Sequence, residues 1–563
     1  MTTTTPTPAL VSQRAAQRLP RMALLLFCAA YLLPGLFDRD PWRHADVTAF
    51  GYMLSLAREA GDTWLPTIGG LRGDGALFPY TLGAAAIRLF GEWIGPAFAA
   101  RLPFAALLAG TLAFTWYSCY HLARTEAAQP LPFAFGGEAS PTDYARAIAD
   151  GALLALIATL GLLQLGHETT PELAQLFATA LFMHALAIST TRRLWAGIEA
   201  ALALVMLAAS GAPTMGLGFA IGALAVSLRS SYPMARALVP WLVGGAILAA
   251  ATGTALGAWR VRLESPSSLL QLPQLLIWFT WPTWPMALWT LWRWRKHLQH
   301  RHIAVPCVLA GVALIACAGM GGSDRALMLG LPALAVLAAF ALPTLQRSVS
   351  AAIDWFSVAF FSALAIVIWV VYAALQTGMP AKTAANVARL VPGYPGSFSW
   401  IALGFAVAAT LAWLLLVRWR TGRHRPVLWK SLVLPAGGLS LCWLLAMTLL
   451  LPVLDYARSY RVLIDRLAQH VPTDACIATV GLRTSQIAAM EYHGGWRVEI
   501  DDALPPGGRA ASGCEFLMLP VRRATTDDGL RRPGWQLIAR ERLPTDRTEQ
   551  TAVYRRSAVA TAR

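Results

Sequence analysis

Apolar residues in this chain fall in long unbroken blocks instead of short alternating runs. Ala352–Leu375 and Leu428–Leu451 each carry a single charged residue. As helices, either block reaches across a hydrocarbon layer of roughly 30 Å with every backbone hydrogen bond made internally. The pattern predicts about thirteen spans, near residues 22–37, 97–121, 148–166, 171–190, 194–211, 213–229, 235–257, 273–295, 303–320, 325–345, 352–376, 399–419 and 428–453. The predicted fold is an all-α polytopic membrane protein.

Two stretches break this pattern. The connection 38–96 is far longer than a helix–helix turn, and long ordered loops tend to be functional. Within it Thr48–Ala60 has Phe50, Met53, Leu54 and Ala57 on one face and reads as an interfacial amphipathic helix ended by Gly61-Asp62. Leu77–Phe90, bounded by Gly75 and Gly91 and carrying Arg88, reads as a second interfacial or partly inserted segment. From Asp455 onward the composition becomes that of a soluble domain. Val462–His470 and Thr484–Tyr492 read as helices, and Ala475–Val480, Arg497–Ile500 and Glu515–Leu519 as strands. The chain thus divides into a transmembrane domain, 1–453, which includes the loop, and a small external α/β domain, 454–563.

Composition agrees: 56% of the 563 residues are hydrophobic and 13% charged. The formal charge of +16 would suggest nucleic acid, but the basic residues orient the spans instead. With the N-terminus inside, the cytoplasmic loops hold Arg14, Arg18, Arg21, Arg124, Arg146, Arg192, Arg193, Arg229, Arg236, Arg293, Arg295, Lys296, Arg301, Arg347, Arg418, Arg420, Arg423, Arg425 and Lys430. The opposite short loops hold only Arg260, Arg262, Arg325, Lys382 and Arg389. Loop 38–96 and the C-terminal domain then face outward, periplasmic if the membrane is a bacterial inner membrane. Five cysteines lie in spans and read as packing residues; Cys476 and Cys514, in the outer domain, are a disulfide candidate. Gln129–Thr142 reads as a Pro/Gly linker and the tryptophans near 278–289 as an interfacial belt.

Candidate chemistry gathers on the external edge. Asp38-Arg39-Asp40-Pro41-Trp42-Arg43-His44-Ala45-Asp46 follows the first span, and Gly166-His167-Glu168-Thr169-Thr170-Pro171-Glu172 forms a tight hairpin between two others. Ionisable residues at membrane depth usually face a cavity or a partner. Ser323-Asp324-Arg325 and Arg101 add cations suited to phosphate. Carboxylates beside cations are what glycosyl transfer from a lipid phosphate needs: a base for the acceptor hydroxyl and positive charge for the leaving phosphate.

At these residues the chain resembles the polytopic lipid-carrier glycosyltransferases of GT-C type, which include aminoarabinose transferases acting on lipid A and, more distantly, protein O-mannosyltransferases. Pro41–Pro66 is similar to that family's first external loop, His167–Phe177 to its second acidic loop, and Ser323–Pro332 to its Arg-Tyr-Leu-Leu-Pro segment. Where the family has Lys-Pro-Pro-Leu, this chain has Gly75–Tyr80 with no lysine, and Ser210–Met215 likewise lacks one. The resemblance implies sugar transfer from a polyprenyl-phosphate donor to an envelope lipid, glycan or protein. It makes Asp46 the essential carboxylate, as general base or holder of a divalent metal, with Glu172 as the second catalytic acid. Trp42, Arg43, His44, Arg101, His167, Glu168 and Arg325 then bind substrate. A transporter or lipid flippase would gather its ionisable residues near the bilayer midplane instead. A non-catalytic envelope scaffold would tolerate neutralisation of Asp46 and Glu172.

Overall fold

The computed structural model describes residues 7–58, 65–259, 270–421, 427–500, 513–522, 532 and 534–557. The expected helix end at Gly61-Asp62 and the loop cations Arg260, Arg262, Arg423 and Arg425 lie outside the described residues. The protein is a multi-pass membrane protein, and all thirteen apolar segments contain helix. Among the described residues, seven helices, from Pro96–Ala123 to Lys430–Leu449, are long and apolar enough to cross a membrane by length and composition.

Burial sorts these helices. In Lys430–Leu449, 78% of the apolar window is covered by protein, against 11% in Trp400–Thr421. The first is therefore a central post and the second presents leucines such as Leu414 and Leu415 outward, as a lipid-facing helix does. Against the post pack Arg347–Thr377, Trp400–Thr421 and Pro141–Ala158, and Leu331–Ala339 bridges Pro141–Ala158 to Pro171–Ile188; the alanines and leucines of these last three helices are almost fully covered. Small side chains let the backbones approach, since lipid tails offer no hydrophobic drive between helices.

Several expected spans are interrupted, two of them by extended or proline-blocked backbone. Segment 148–166 divides at Thr159, whose ψ of 119° is extended, and 273–295 divides at Thr280–Pro282, where Pro282 has no N–H to continue the ladder. The freed groups meet: the Leu160 N–H donates to the Trp281 carbonyl at 3.0 Å. Non-helical backbone inside a membrane protein requires such pairing.

The loop helix runs Ala45–Ala57 and is covered by protein on more than its apolar face. Val47, Phe50, Met53 and Leu54 are buried, but so are Ala49, Gly51 and Tyr52 on other faces. It is wedged between the helix Leu77–Ile94 and the C-terminal helix Thr484–Ala489. A Cβ on Gly51 would stand 2.7 Å from that of Ala488, so only glycine permits this approach. Leu77–Ile94 itself exposes Leu89 and Trp93, as a membrane-facing segment should.

The C-terminal region holds a five-stranded sheet: β1 (Cys476–Thr479), β2 (Arg497–Ile500), β3 (Phe516–Arg522), β4 (Trp535–Glu541) and β5 (Glu549–Arg556), in the order β2-β1-β3-β5-β4. β1 pairs in parallel with β2 and β3, and the antiparallel β4 and β5 complete the edge. The β1–helix–β2 crossover presents Thr484–Ala489 to the loop helix. Cys476, opening β1, is bonded to Cys514, just before the neighbouring β3, with Cα atoms 4.9 Å apart.

Candidate active site

Four chain segments meet at one end of the bundle. Thr170 precedes the helix Pro171–Ile188, with proline at its first position and Glu172 in its first turn, where a carboxylate suits the helix dipole. The turn before it, residues 166–170, is the hub. Its His167 stacks between Tyr31 and Trp443, with ring centroids 5.3 and 4.7 Å away, and its two nitrogens face the carbonyl oxygens of Leu163 and Tyr31. Burial pushes the imidazole down to about 4, so it is neutral at physiological pH. His167 is thus a wedge holding the turn, with both ring nitrogens facing carbonyl oxygens.

Onto this turn folds the 38–46 segment. Asp46 is buried, and both its oxygens are taken. One accepts from the Thr169 N–H at 2.8 Å and the Thr169 hydroxyl at 2.7 Å; the other accepts from the Trp42 N–H at 3.0 Å and from Arg39 at 3.2 Å. Burial alone would raise its pKa, but Arg39, Arg101 and the Thr169 bonds outweigh that and hold it below the usual carboxylate range. Asp46 therefore ties the first external loop to the second. Four donors on a depressed carboxylate leave it no free oxygen lone pair pointing into open space in this state.

Arg39, which the sequence did not single out, also donates to the His167 carbonyl at 2.9 Å. Arg101 donates to the carbonyls of Leu36 and Arg39, bracing the loop from below instead of facing a phosphate. Trp42 is covered on both faces, by Arg39 at 4.7 Å and Arg458 at 4.9 Å, and is not free to stack on a sugar. Arg43 and His44 turn the other way. His44 has φ of 73°, a left-handed conformation that reverses the chain, and both residues line a small polar pocket with Tyr460, Arg483 and Asp546 against the C-terminal sheet. They do not join the carboxylates.

Arg325 does. From the short helix Asp324–Met328 its guanidinium reaches Glu172 at 3.0 Å, Glu168 at 2.8 Å and the Thr170 hydroxyl at 3.3 Å. Glu168 is buried, and burial together with the nearby Asp46 raises its pKa despite Arg325. Glu172 is the open member: its side chain is 26% exposed, and among the described residues only one of its oxygens is bonded. A fork-shaped cation shared by two carboxylates is a bidentate binder that an incoming phosphate could engage.

These groups do not fit a divalent cation. Asp46 has four hydrogen-bond donors on its two oxygens, and the Glu168–Glu172 pair already has a guanidinium between its members. Cys476, Glu499 and Cys514 are close enough for a metal, but the two sulfurs are joined to each other.

Asp455 completes the site and was missed, although it is the first carboxylate after the last span. It accepts from the Trp42 indole and from the Asp40 N–H, both at 3.0 Å, while Asp40 is clamped by Arg461. Burial, then the charge of Asp40, pushes Asp455 up to about 6. An unfolded aspartate titrates near 3.9, so the folded state holds this proton more tightly. Its contribution to stability therefore declines as pH rises from about 4 to about 6. Asp455→Asn keeps an acceptor for the indole and removes that penalty. Its melting temperature should exceed the wild type's at pH 7.5, with the gap closing at pH 4; a gap constant with pH would refute this.

Beside Arg101, His167 and Thr169 lies a cavity of about 20 Å³, room for a water and not for a sugar. Larger cavities, of about 400 and 420 Å³, lie in the other half of the bundle.

No family model matches the chain, and no curated protein matches it. Its fold is nonetheless that of a solved protein. ArnT from Cupriavidus metallidurans bound to undecaprenyl phosphate superposes with a TM-score of 0.65, covering 97% of this chain and 100% of that one at 13% identity. The apo state of ArnT from the same organism gives 0.63 over 95% and 98% at 15% identity.

Proposed function

From a chain with the fold of ArnT and a carboxylate–arginine cluster at one end of its bundle, we propose a membrane glycosyltransferase that moves a sugar from a polyprenyl-phosphate donor to an envelope acceptor. The acceptor is an envelope lipid, glycan or protein, and the cluster faces the side opposite the Lys/Arg-rich loops. The observation that carries the reading is Arg325 shared between Glu168 and the half-open Glu172. The similar structure carries undecaprenyl phosphate, a lipid whose headgroup chemistry matches that cation.

In the proposed reaction the acceptor hydroxyl attacks the anomeric carbon while the bond from that carbon to the phosphate oxygen breaks, inverting the configuration. The hydroxyl proton passes to Glu172, and the electron pair leaves with polyprenyl phosphate. Arg325 shifts from the carboxylates to the phosphate oxygens, where negative charge grows, and Glu168 orients it. Asp46, Arg39 and Arg101 hold the two loops together as positioning residues.

A flippase would need polar groups along a path through the bundle. Here the charged cluster sits at one end, which favours the enzyme. Purified protein in nanodiscs, given a panel of polyprenyl-phosphate sugars and membrane lipid extract, should release polyprenyl phosphate from at least one donor. Transbilayer movement of those donors without release would replace this reading by the flippase.

A further inference from the structure

A second site lies at the opposite end of the molecule. The helices Arg21–Leu32 and Lys430–Leu449 both run from there toward the carboxylate cluster, so the two ends are roughly 30 Å apart by helical rise. Between the starts of these helices, the end of Trp400–Thr421 and the N-terminal strap, residues 7–20, is a cavity of about 400 Å³, a size that holds small ligands.

Its walls divide by chemistry. Arg18, Arg420 and Lys430 stand at one edge. Arg420 pairs with Asp354, yet its Nε and the Asp354 Oδ1 are buried without a partner among the described residues. Arg18 and Lys430 have no carboxylate at ion-pair distance among those residues. The floor is Phe27, Leu416 and Val433. Trp419 and Trp429 lie nearly parallel, centroids 6.5 Å apart and 6° between planes, and the Trp429 indole ties back to the Gln17 carbonyl at 2.7 Å. Neighbouring Leu26 and Leu415 are exposed, so the cleft borders surfaces that face lipid.

Cations at the water edge, stacked indoles at interface height and an apolar floor running toward the hydrocarbon match one amphiphile: a phosphate headgroup with an attached acyl chain. We propose that this cleft is a binding site for an anionic phospholipid of the leaflet opposite the carboxylate cluster, with the phosphate on Arg18 and Lys430 and a chain along Phe27, Leu416 and Val433. It is separate from the donor site and would hold the strap and the two helix starts together.

Native mass spectrometry of the full-length protein released from detergent tests this. Phosphatidylglycerol should be retained at least tenfold more than phosphatidylcholine with the same chains. R18Q/K430Q should lose that preference, while R347Q, an exposed cation outside the cleft, keeps it; melting curves matched to wild type show that the variants fold. Equal retention of the two lipids overturns the proposal. So does loss of preference in R347Q, which would mean a general surface effect, and so does displacement of the lipid by millimolar inorganic phosphate, which would mean a free-anion site.

Discussion

Glu172→Gln is expected to leave the protein folded while lowering polyprenyl phosphate release by about 10²- to 10⁴-fold, the usual contribution of a general base. The amide is nearly the same size, and its oxygen can still accept from Arg325, which also keeps its contact with Glu168. What it cannot do is take the acceptor's proton. Because Glu172 is partly open to solvent, little folding free energy depends on its charge. The loss should appear in kcat with melting temperature and donor KM near wild type. A variant that retains wild-type kcat would remove Glu172 from the chemistry.

Asp46→Asn is expected to act through stability first. Arg39 is completely buried, and Asp46 is its carboxylate partner. Breaking a buried pair by neutralising one member costs about 3–5 kcal/mol, because the remaining charge is stranded. The new amide would also turn an N–H₂ toward donors that now meet oxygen. A clear drop in melting temperature and in yield should accompany the loss of activity. The depressed pKa sets the pH dependence: this carboxylate's contribution is present above the unfolded pKa and fades as pH falls through the folded one. The wild-type advantage should therefore shrink in acid. Wild-type melting with abolished turnover would instead make Asp46 a reacting group.

The contrast between these two carboxylates shows where sequence reading succeeds. That residues 38–46 and 167–172 meet was legible, because polar residues crowded between apolar blocks need a partner. Which carboxylate is sealed was not, because the Asp46–Thr169 bonds join residues 123 positions apart and no periodicity encodes that. Register hid the split between Asp46 and His44, which are neighbours in the sequence and face opposite ways because of one left-handed backbone angle.

That the apolar blocks hold helix was legible for a plain reason: a helix in lipid needs only length and apolarity. Their breaks were not, since the Thr159 and Trp281 interruptions are repaired by a bond between two distant segments. The loop helix Ala45–Ala57 was readable as a helix, but its amphipathic pattern could not show that a second partner covers its other side. That partner, Thr484–Ala489, approaches because position 51 is glycine. In the C-terminal sheet, β4 was hidden because its burial alternates along the strand, and β5 because its buried run, Thr551–Tyr554, is only four residues long and flanked by polar ones.

The most direct test of the central claim is a cryo-electron microscopy structure of the protein in nanodiscs with a polyprenyl-phosphate sugar bound. The expected result places the phosphate on the Arg325 guanidinium, with the anomeric carbon toward Glu172. A phosphate bound elsewhere, such as the cleft between Arg18 and Lys430, with Arg325 still locked between Glu168 and Glu172, would contradict it.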